Sequence, residues 1–304
     1  MNEQDRLAEH FEQQRNHLRA VAYRMLGSLS DADDAVQEAW LRLSGANASG
    51  VDDLRAWLTT VVARICLNLL RSRAARREEP IGPHLPDLII SPPDGADPQD
   101  EALIADSVGL ALLIALDTLT PAERLAFVLH DVFDVPFDQI AAILDRSQAA
   151  TRQLASRARR RLRTTATPDT NLTAQWQLVD AFLAAARDGD FDALLTILNP
   201  DVVLRADGGA TGPGGSLQRL GAQAVASGAI TFQRLGYGPT QRALINGAPG
   251  LVAFTGSALF SVLSFTIAQG RIAELNILTD PLRLQRLDLR LLEPGWRAGR
   301  ASPN

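Results

Sequence analysis

A short turn between two amphipathic helical stretches near the middle of the chain constrains its fold more than any other feature. Residues 137–144 (FDQIAAIL) are followed by Asp145 and Arg146, then by a second stretch, 147–163, that ends in a run of arginines. At about 100° per residue, Thr151, Leu154, Ala155, Ala158 and Leu162 fall on one side of that second stretch. Arg152, Ser156, Arg159, Arg160 and Arg163 fall on the other. Ser147 stands where an N-cap belongs, so the helix starts at Gln148 and offers its first residues to the major groove of a duplex. This is a helix-turn-helix pattern. The alternative, a solvated basic helix in a bundle, leaves the short turn without a reason.

The charge balance limits how such a chain meets DNA. Across 304 residues, enough for two or three domains, the formal net charge is −5. A protein that grips a duplex unaided is usually basic, so either the basic surface is local or a partner supplies much of the binding. All 30 cationic residues are arginine, a bias that reflects base composition more simply than function. The lone Cys66 lies in the apolar run 61–67, which excludes an internal disulfide and predicts a buried thiol. The N-terminus is charged and lacks an apolar signal core. Residues 247–270 contain no charged side chain, yet Gly, Pro, Ser and Thr interrupt them and strand formers such as Val252, Phe254, Val262 and Phe265 dominate. They predict two buried strands joined by a turn, not a membrane span. These features fit a cytoplasmic protein with no membrane contact.

Three blocks follow from composition. Residues 1–78 read as wholly helical. A proline-rich, acidic stretch at 79–100 predicts an extended linker. A second helical block, 101–166, has a clear helix start at Thr120, Pro121 and Glu123, which supply an N-cap, a first-turn proline and a capping-box glutamate. The texture then changes: helices at about 173–187 and 191–198 precede strand-like runs at 202–205, 250–256, 259–268 and 271–278. Residues 170–290 therefore predict an α+β domain, with 291–304 as a tail. The last segment, from Arg283, alternates Leu and Arg before becoming Gly/Pro-rich, and it either covers that domain or hangs free.

Two helices of the first block carry chemistry. In residues 31–43, Asp31, Asp34, Gln37, Glu38 and Leu41 share one face, opposite Ala32, Val36, Ala39, Trp40 and Leu43. Such a stripe is ordinarily just solvated surface. In the helix predicted at 53–73, Leu54, Leu58, Val62, Ile65 and Leu69 pack, while Trp57, Thr60, Arg64, Asn68 and Arg71 line a neighbouring face. Positive charge, an amide and an indole together suit phosphates and unpaired bases. Trp57 serves equally well as a core anchor with one exposed edge.

These residues converge on a family. Residues 22–28 (AYRMLGS), the run 31–43 (DADDAVQEAWLRL), 54–58 (LRAWL) and 68–71 (NLLR) resemble region two of extracytoplasmic-function (ECF) RNA polymerase sigma factors, and 118–163 resemble their region four. The resemblance implies that Asp31, Asp34, Gln37, Glu38 and Leu41 face the β′ clamp helices of core polymerase. It implies that the loop at 45–52, with Asn47, and the helix bearing Arg55, Trp57, Arg64, Asn68 and Arg71 read and open the minus-ten element. Ser147, Gln148, Arg152, Ser156, Arg157, Arg159 and Arg160 would read the minus-thirty-five duplex. The partners implied are the polymerase core, through its β and β′ subunits, and promoter DNA. Dependence on polymerase also accounts for the negative charge.

Residues 178–195 and 201–209 resemble the start of SnoaL-like domains of the NTF2-like cone fold, and the whole looks like the sigma J-like group with such a fused tail. That group often carries an Asp-Gly-Gly-Gly-Lys signature and an Asn-Pro-Asp-Lys segment. This chain has Asp207-Gly208-Gly209-Ala210-Thr211 and Thr279-Asp280-Pro281-Leu282, so both lysines are missing. Asp207, Gly208 and Gly209 are the expected regulatory contacts. By this resemblance the tail packs on the helical domains and linker and takes the place of a separate anti-sigma factor, and a small molecule in its pocket would bias the balance.

The expected architecture is thus multidomain: two all-α domains and a C-terminal α+β cone. Two rival readings remain at this point. One is a SnoaL-like enzyme with a DNA-binding appendage, its candidate proton-transfer group Asp207. Residues 170–290 contain no histidine to pair with it, and an Asp before Gly-Gly is commonly a turn residue. The other is a conventional helix-turn-helix repressor or activator, which leaves the acidic helix unexplained. No catalytic residue, cofactor or metal is expected, since no metal-ligand spacing appears.

Overall fold

The computed structural model describes residues 3–45, 53–76, 83–93, 109–163, 165–209, 212, 215–234, 240–256 and 258–289. Two compact units divide the chain. The first comprises 1–79, 98–106 and 112–165, and the second comprises 80–97, 107–111 and 166–304.

The first unit is helical. Helices α1 (Glu3–Leu26), α2 (Leu29–Gly45) and α3 (Leu54–Arg76) pack pairwise around Phe11, Leu18, Tyr23, Met25, Val36, Leu43, Leu58 and Val62, all nearly or fully buried. Cys66 is among them, and burial pushes its thiol up to about 12, where it stays protonated and inert. The second helical block begins with α4 (Gly109–Leu116) and continues with α5 (Pro121–Phe127), a π-helical turn (Val128–Val132), α6 (Phe137–Leu144) and α7 (Gln148–Leu162). The start of α5 is the expected one. Thr120 accepts from the Glu123 amide at 3.4 Å, and the Glu123 carboxylate accepts from the Thr120 amide at 3.1 Å.

The second unit is an α+β domain, as the sequence predicts. Helices α8 (Leu172–Asp188) and α9 (Phe191–Ile197) precede β2 (Leu198–Asp207), β3 (Leu217–Leu220), α10 (Ala222–Arg234), β4 (Thr240–Ile245), β5 (Ala248–Thr255), β6 (Ala258–Ala268), β7 (Arg271–Leu278) and α11 (Pro281–Leu284). With β1 (Ile90–Ser91), the strands form one sheet in the order β1-β4-β5-β6-β7-β2-β3, in which β2 and β7 pair parallel and the other pairs antiparallel. Strand alternation explains the core. Phe265 and Ile267 on β6, with Leu275 on β7, join Val179, Phe182, Leu194 and Val225 from the helices, and the Phe182 and Phe265 rings meet edge to face at 5.6 Å. Ser264 and Thr266 alternate with those residues and so point to the opposite face, where Ser264 lies in register with Asn276. The uncharged stretch 247–270 forms β5 and β6, and no helix among the described residues is long and apolar enough to cross a membrane.

Four elements of this unit departed from expectation. Strand β3, helix α10 and strand β4 lie in a region the sequence left unassigned. More consequential, the proline-rich stretch does not run free: β1 (Ile90–Ser91) pairs antiparallel with β4, Ile90 opposite Ile245 and Ser91 opposite Leu244. At the start of the last segment Arg283 is held against Asp207 of the domain, while 290–304 lie outside the described residues.

Candidate nucleic-acid interface and linker clasp

The helix-turn-helix has the geometry its sequence implies. Helix α6 ends at Asp145, whose φ of 54° is left-handed, a conformation that Asp tolerates better than most residues. Ser147 then caps α7, its hydroxyl accepting from the Ala150 amide at 3.2 Å. Helix α7 buries Thr151, Leu154, Ala155, Ala158 and Leu162, the five residues assigned to its packing face. Ser147, Gln148, Arg152, Ser156, Arg157, Arg159 and Arg160 are exposed.

Those exposed residues are not electrostatically equivalent. Arg159 forms a two-pronged pair with Asp131, at 2.6 and 3.2 Å. Arg152 donates to Gln148 Oε1 at 3.3 Å and lies 5.5 Å over the Phe137 ring. Arg157 and Arg160 form no ion pair with any described residue, so their charge is available to phosphates. Arg161 points elsewhere, 2.9 Å from the Glu123 carboxylate, and ties α7 to the cap of α5.

In α2, Asp34, Gln37 and Leu41 are exposed, Leu41 at 57% of its surface. Asp31 turns inward to Arg73 of α3 at 2.6 Å, and Glu38 pairs with Arg42 at 3.0 Å. The acidic stripe is thus partly neutralised from within. Helix α3 exposes Arg55, Arg64, Asn68 and Arg71, and Trp57 is half-buried beside them. Asn47 and most of its loop lie outside the described residues.

The two helical blocks are locked together by a residue the sequence reading missed. Arg124 of α5 is 3% exposed, and its Nε and Nη2 donate to the Arg24 carbonyl in the last turn of α1 at 3.1 and 3.0 Å. Its Nη1 binds Asp117. Burial pulls its pKa below the ordinary guanidinium value, and the charge of Asp117 opposes that. Nearby, the Phe133 ring meets His17 edge-on at 5.3 Å and Arg24 at 5.3 Å, while Arg64 Nη2 donates to the Ala142 carbonyl of α6 at 3.3 Å. An arginine of the expected minus-ten face therefore touches the helix-turn-helix. No spacing signal marks Arg124 in sequence, since it lies inside an ordinary amphipathic helix.

The second unit concentrates its polar chemistry at Asp207, which is 2% exposed at the end of β2. Its Oδ2 accepts from the Leu85 amide at 2.9 Å and from Arg283 Nη1 at 2.5 Å, with His84 Nδ1 at 3.4 Å. Its Oδ1 accepts from the Gly209 amide at 3.2 Å. Burial alone would raise this carboxyl, but the His84 contact, the Leu85 amide and the charges of Arg283 and His84 together hold it below its ordinary value. Arg283 reaches on to the Pro86 carbonyl at 3.0 Å and to Asp87 at 3.3 Å. Glycine is required beside it: at Gly209, φ is 58° and an added Cβ would lie 2.3 Å from Asp280. The cluster is a clasp that closes the linker onto the domain. With the lysines of the related signatures absent, Arg283 supplies the cation, and its position two residues past Asp280-Pro281 was the signal available in sequence. No cluster among the described residues could hold a metal ion.

Comparison with known proteins agrees with this arrangement. Residues 10–76 match the Sigma-70 region 2 family and 110–162 match Sigma-70, region 4. The chain is 37% identical over 288 residues to the ECF RNA polymerase sigma factor SigJ of Mycobacterium tuberculosis, covering 89% of this chain and 91% of that one. It is 35% identical over 300 residues to the probable ECF sigma factor SigI of the same species, covering 96% and 99%. The crystal structure of M. tuberculosis SigJ matches with a TM-score of 0.76 at 33% identity, over 93% of this chain and all of the other. Relatives matched over nearly their whole length, with both sigma regions in order, make this chain a member of the extracytoplasmic-function RNA polymerase sigma factors, built with a C-terminal α+β domain.

Proposed function

We propose that this sigma factor is controlled in cis by its own C-terminal domain, acting through the linker. As a sigma factor it works with core RNA polymerase on promoter DNA. The exposed Asp34, Gln37 and Leu41 of α2 would dock on the β′ subunit, with Asp31 and Glu38 shaping that face through their arginine partners. Arg55, Trp57, Arg64, Asn68 and Arg71 would open and hold the minus-ten strand, and Gln148, Arg152, Ser156, Arg157 and Arg160 would read the minus-thirty-five duplex.

The observation that carries the regulatory reading is the clasp. Asp207 Oδ2 holds Leu85 and His84, Arg283 Nη2 holds Pro86 and Asp87, and Arg283 Nη1 ties the two together on Asp207 Oδ2. A linker fixed to the domain cannot extend between two promoter-binding regions until that clasp opens, so clasp stability sets how readily the factor spreads onto polymerase. The same commitment speaks against an enzymatic role for Asp207, which is 2% exposed and whose Oδ2 already faces Leu85 N–H, Arg283 and His84. A separate anti-sigma protein is then unnecessary, and a small molecule bound in the cone would act by shifting the clasp equilibrium.

Run-off transcription with bacterial core polymerase, on the promoter region upstream of this protein's own coding sequence, tests the reading. Full-length chain is compared with Asp207→Asn and with a chain ending at Thr167. Promoter-dependent transcript whose yield changes with both alterations supports control through the clasp. Equal yields from all three would refute it.

A further inference from the structure

Most of the hydrogen bonds between the C-terminal domain and the linker use the linker's main-chain groups. Besides Leu85 N–H on Asp207 and the Pro86 carbonyl on Arg283, the Ile89 amide donates to Asn246 Oδ1 at 3.2 Å. The Ile89 carbonyl accepts from the Asn246 amide at 2.8 Å, and Ile90 and Ser91 add a strand to β4. Leu85, Leu88, Ile89 and Ile90 are buried. Backbone pairing on a sheet edge, aliphatic side chains in pockets and one charged pair, here Asp87 with Arg283, is how domains bind extended peptides from other proteins.

The pairing also stops early, for a readable reason. The antiparallel register would next set Pro92 opposite Ala243 and Pro93 opposite Arg242, and proline has no N–H to donate. The outer edge of β4 from Thr240 to Ala243 therefore has no strand partner among the described residues, and Thr240 and Arg242 are exposed there. The linker occupies only part of the edge available to it.

We infer that this edge, with Asp207, Arg283 and Asn246, is an exchangeable peptide groove, able to take an extended segment of another protein in place of the linker. Its occupant is a peptide with the pattern of 85–90, an aliphatic residue, proline, an acid and three aliphatic residues, followed by residues other than proline. Such a ligand pairs further along β4 than the linker does. It need only overcome the advantage of a tethered competitor, an effective concentration on the order of millimolar, and that advantage vanishes whenever the linker is withdrawn. The inference rests on the clasp described above, but not on the clasp controlling transcription.

Fluorescence anisotropy of labelled peptides against the full-length chain tests it. One peptide copies 83–93 and a second replaces Pro92 and Pro93 with Thr and Val. Leu88→Ala in the protein weakens the tethered linker, and circular dichroism shows whether that variant keeps its fold. The native chain itself, titrated with the second peptide, serves as the measurement if it does not. Binding is expected to the variant, about tenfold weaker to the native chain, and tighter for the second peptide than the first. N-methylation at Leu85 of the peptide, or Asp207→Asn in the protein, should abolish it. No binding by the second peptide, or binding indifferent to N-methylation and to Asp207, overturns the inference. A tail-dependent transcription result without peptide binding removes this inference alone, and peptide binding without a tail effect removes the regulatory reading alone.

Discussion

Arg283 Nη1 lies 2.5 Å from Asp207 Oδ2, and the same guanidinium reaches the Pro86 carbonyl at 3.0 Å, so one side chain joins the end of β2 to the linker. Both partners are nearly buried, their side chains 14% and 3% exposed. Removing either leaves the other desolvated without its nearest opposite charge, which costs more than the pair contributes as a whole.

Asp207→Asn should therefore lower unfolding stability of the domain by about 3–5 kcal/mol, and Arg283→Met by a similar amount. The double variant should cost much less than the sum, because neither charge is then orphaned. Urea unfolding of the four proteins gives the coupling. Additive losses would mean the two residues act separately.

The pH dependence follows from the same carboxylate. Its pKa is lowered on folding, so the unfolded chain binds the proton more readily than the native one. The stabilisation is complete above the ordinary Asp value, about 3.9, and is lost as pH falls through the lower native value. The stability gap between native protein and Asp207→Asn should be constant from pH 7 to about 5 and narrow below about 4. Denaturant midpoints across that range check it. A gap that widens on acidification would contradict the assigned direction.

Arg124 makes a comparable join in the helical unit. Arg124→Met removes the donors to the Arg24 carbonyl and should cost about 2–3 kcal/mol. Because Cys66 is fully buried in the same helical unit, alkylation of its thiol reports the opening. The thiol, pushed up to about 12 and fully buried, should resist iodoacetamide in the native chain. It should react about tenfold faster or more in the variant. An unchanged rate would show that the two helical blocks do not depend on this contact.

These joins mark the limit of what was legible in the sequence. Periodicity and caps located α7, its buried face, the capping box at Thr120 and the strands at 259–268 and 271–278, because local pattern determines each of them. Asp207 stood out for its place before two glycines, but its partners Leu85 and Arg283 lie 122 and 76 residues away. Likewise Arg124 and Arg24 are 100 residues apart, and an arginine that satisfies a remote carbonyl looks like any solvated one. Residues 79–100 read as a free linker because prolines and acids predict no packing, whereas Leu85, Leu88, Ile89 and Ile90 supply enough apolar surface to be captured. Strand β4 and helix α10 were missed where glycines blur the period.

On the recognition helix, the ion pair between Arg159 and Asp131 makes a prediction that separates three neighbouring arginines. Arg157 and Arg160 carry charge uncommitted to any described acid, so each should release counterions on meeting the minus-thirty-five duplex. Replacing either with Ala should weaken binding of the polymerase-bound factor and reduce the slope of log K against log salt by about 1. Arg159 is already neutralised at 2.6 Å, so binding DNA through it must first break that pair. Arg159→Ala should lose less affinity than Arg157→Ala, and Asp131→Asn should strengthen binding and steepen the slope. Salt titrations of holoenzyme on a promoter fragment measure all four. Equal losses at 157, 159 and 160, with no gain from Asp131→Asn, would mean that the Arg159 pair dissolves at no cost when the helix meets DNA.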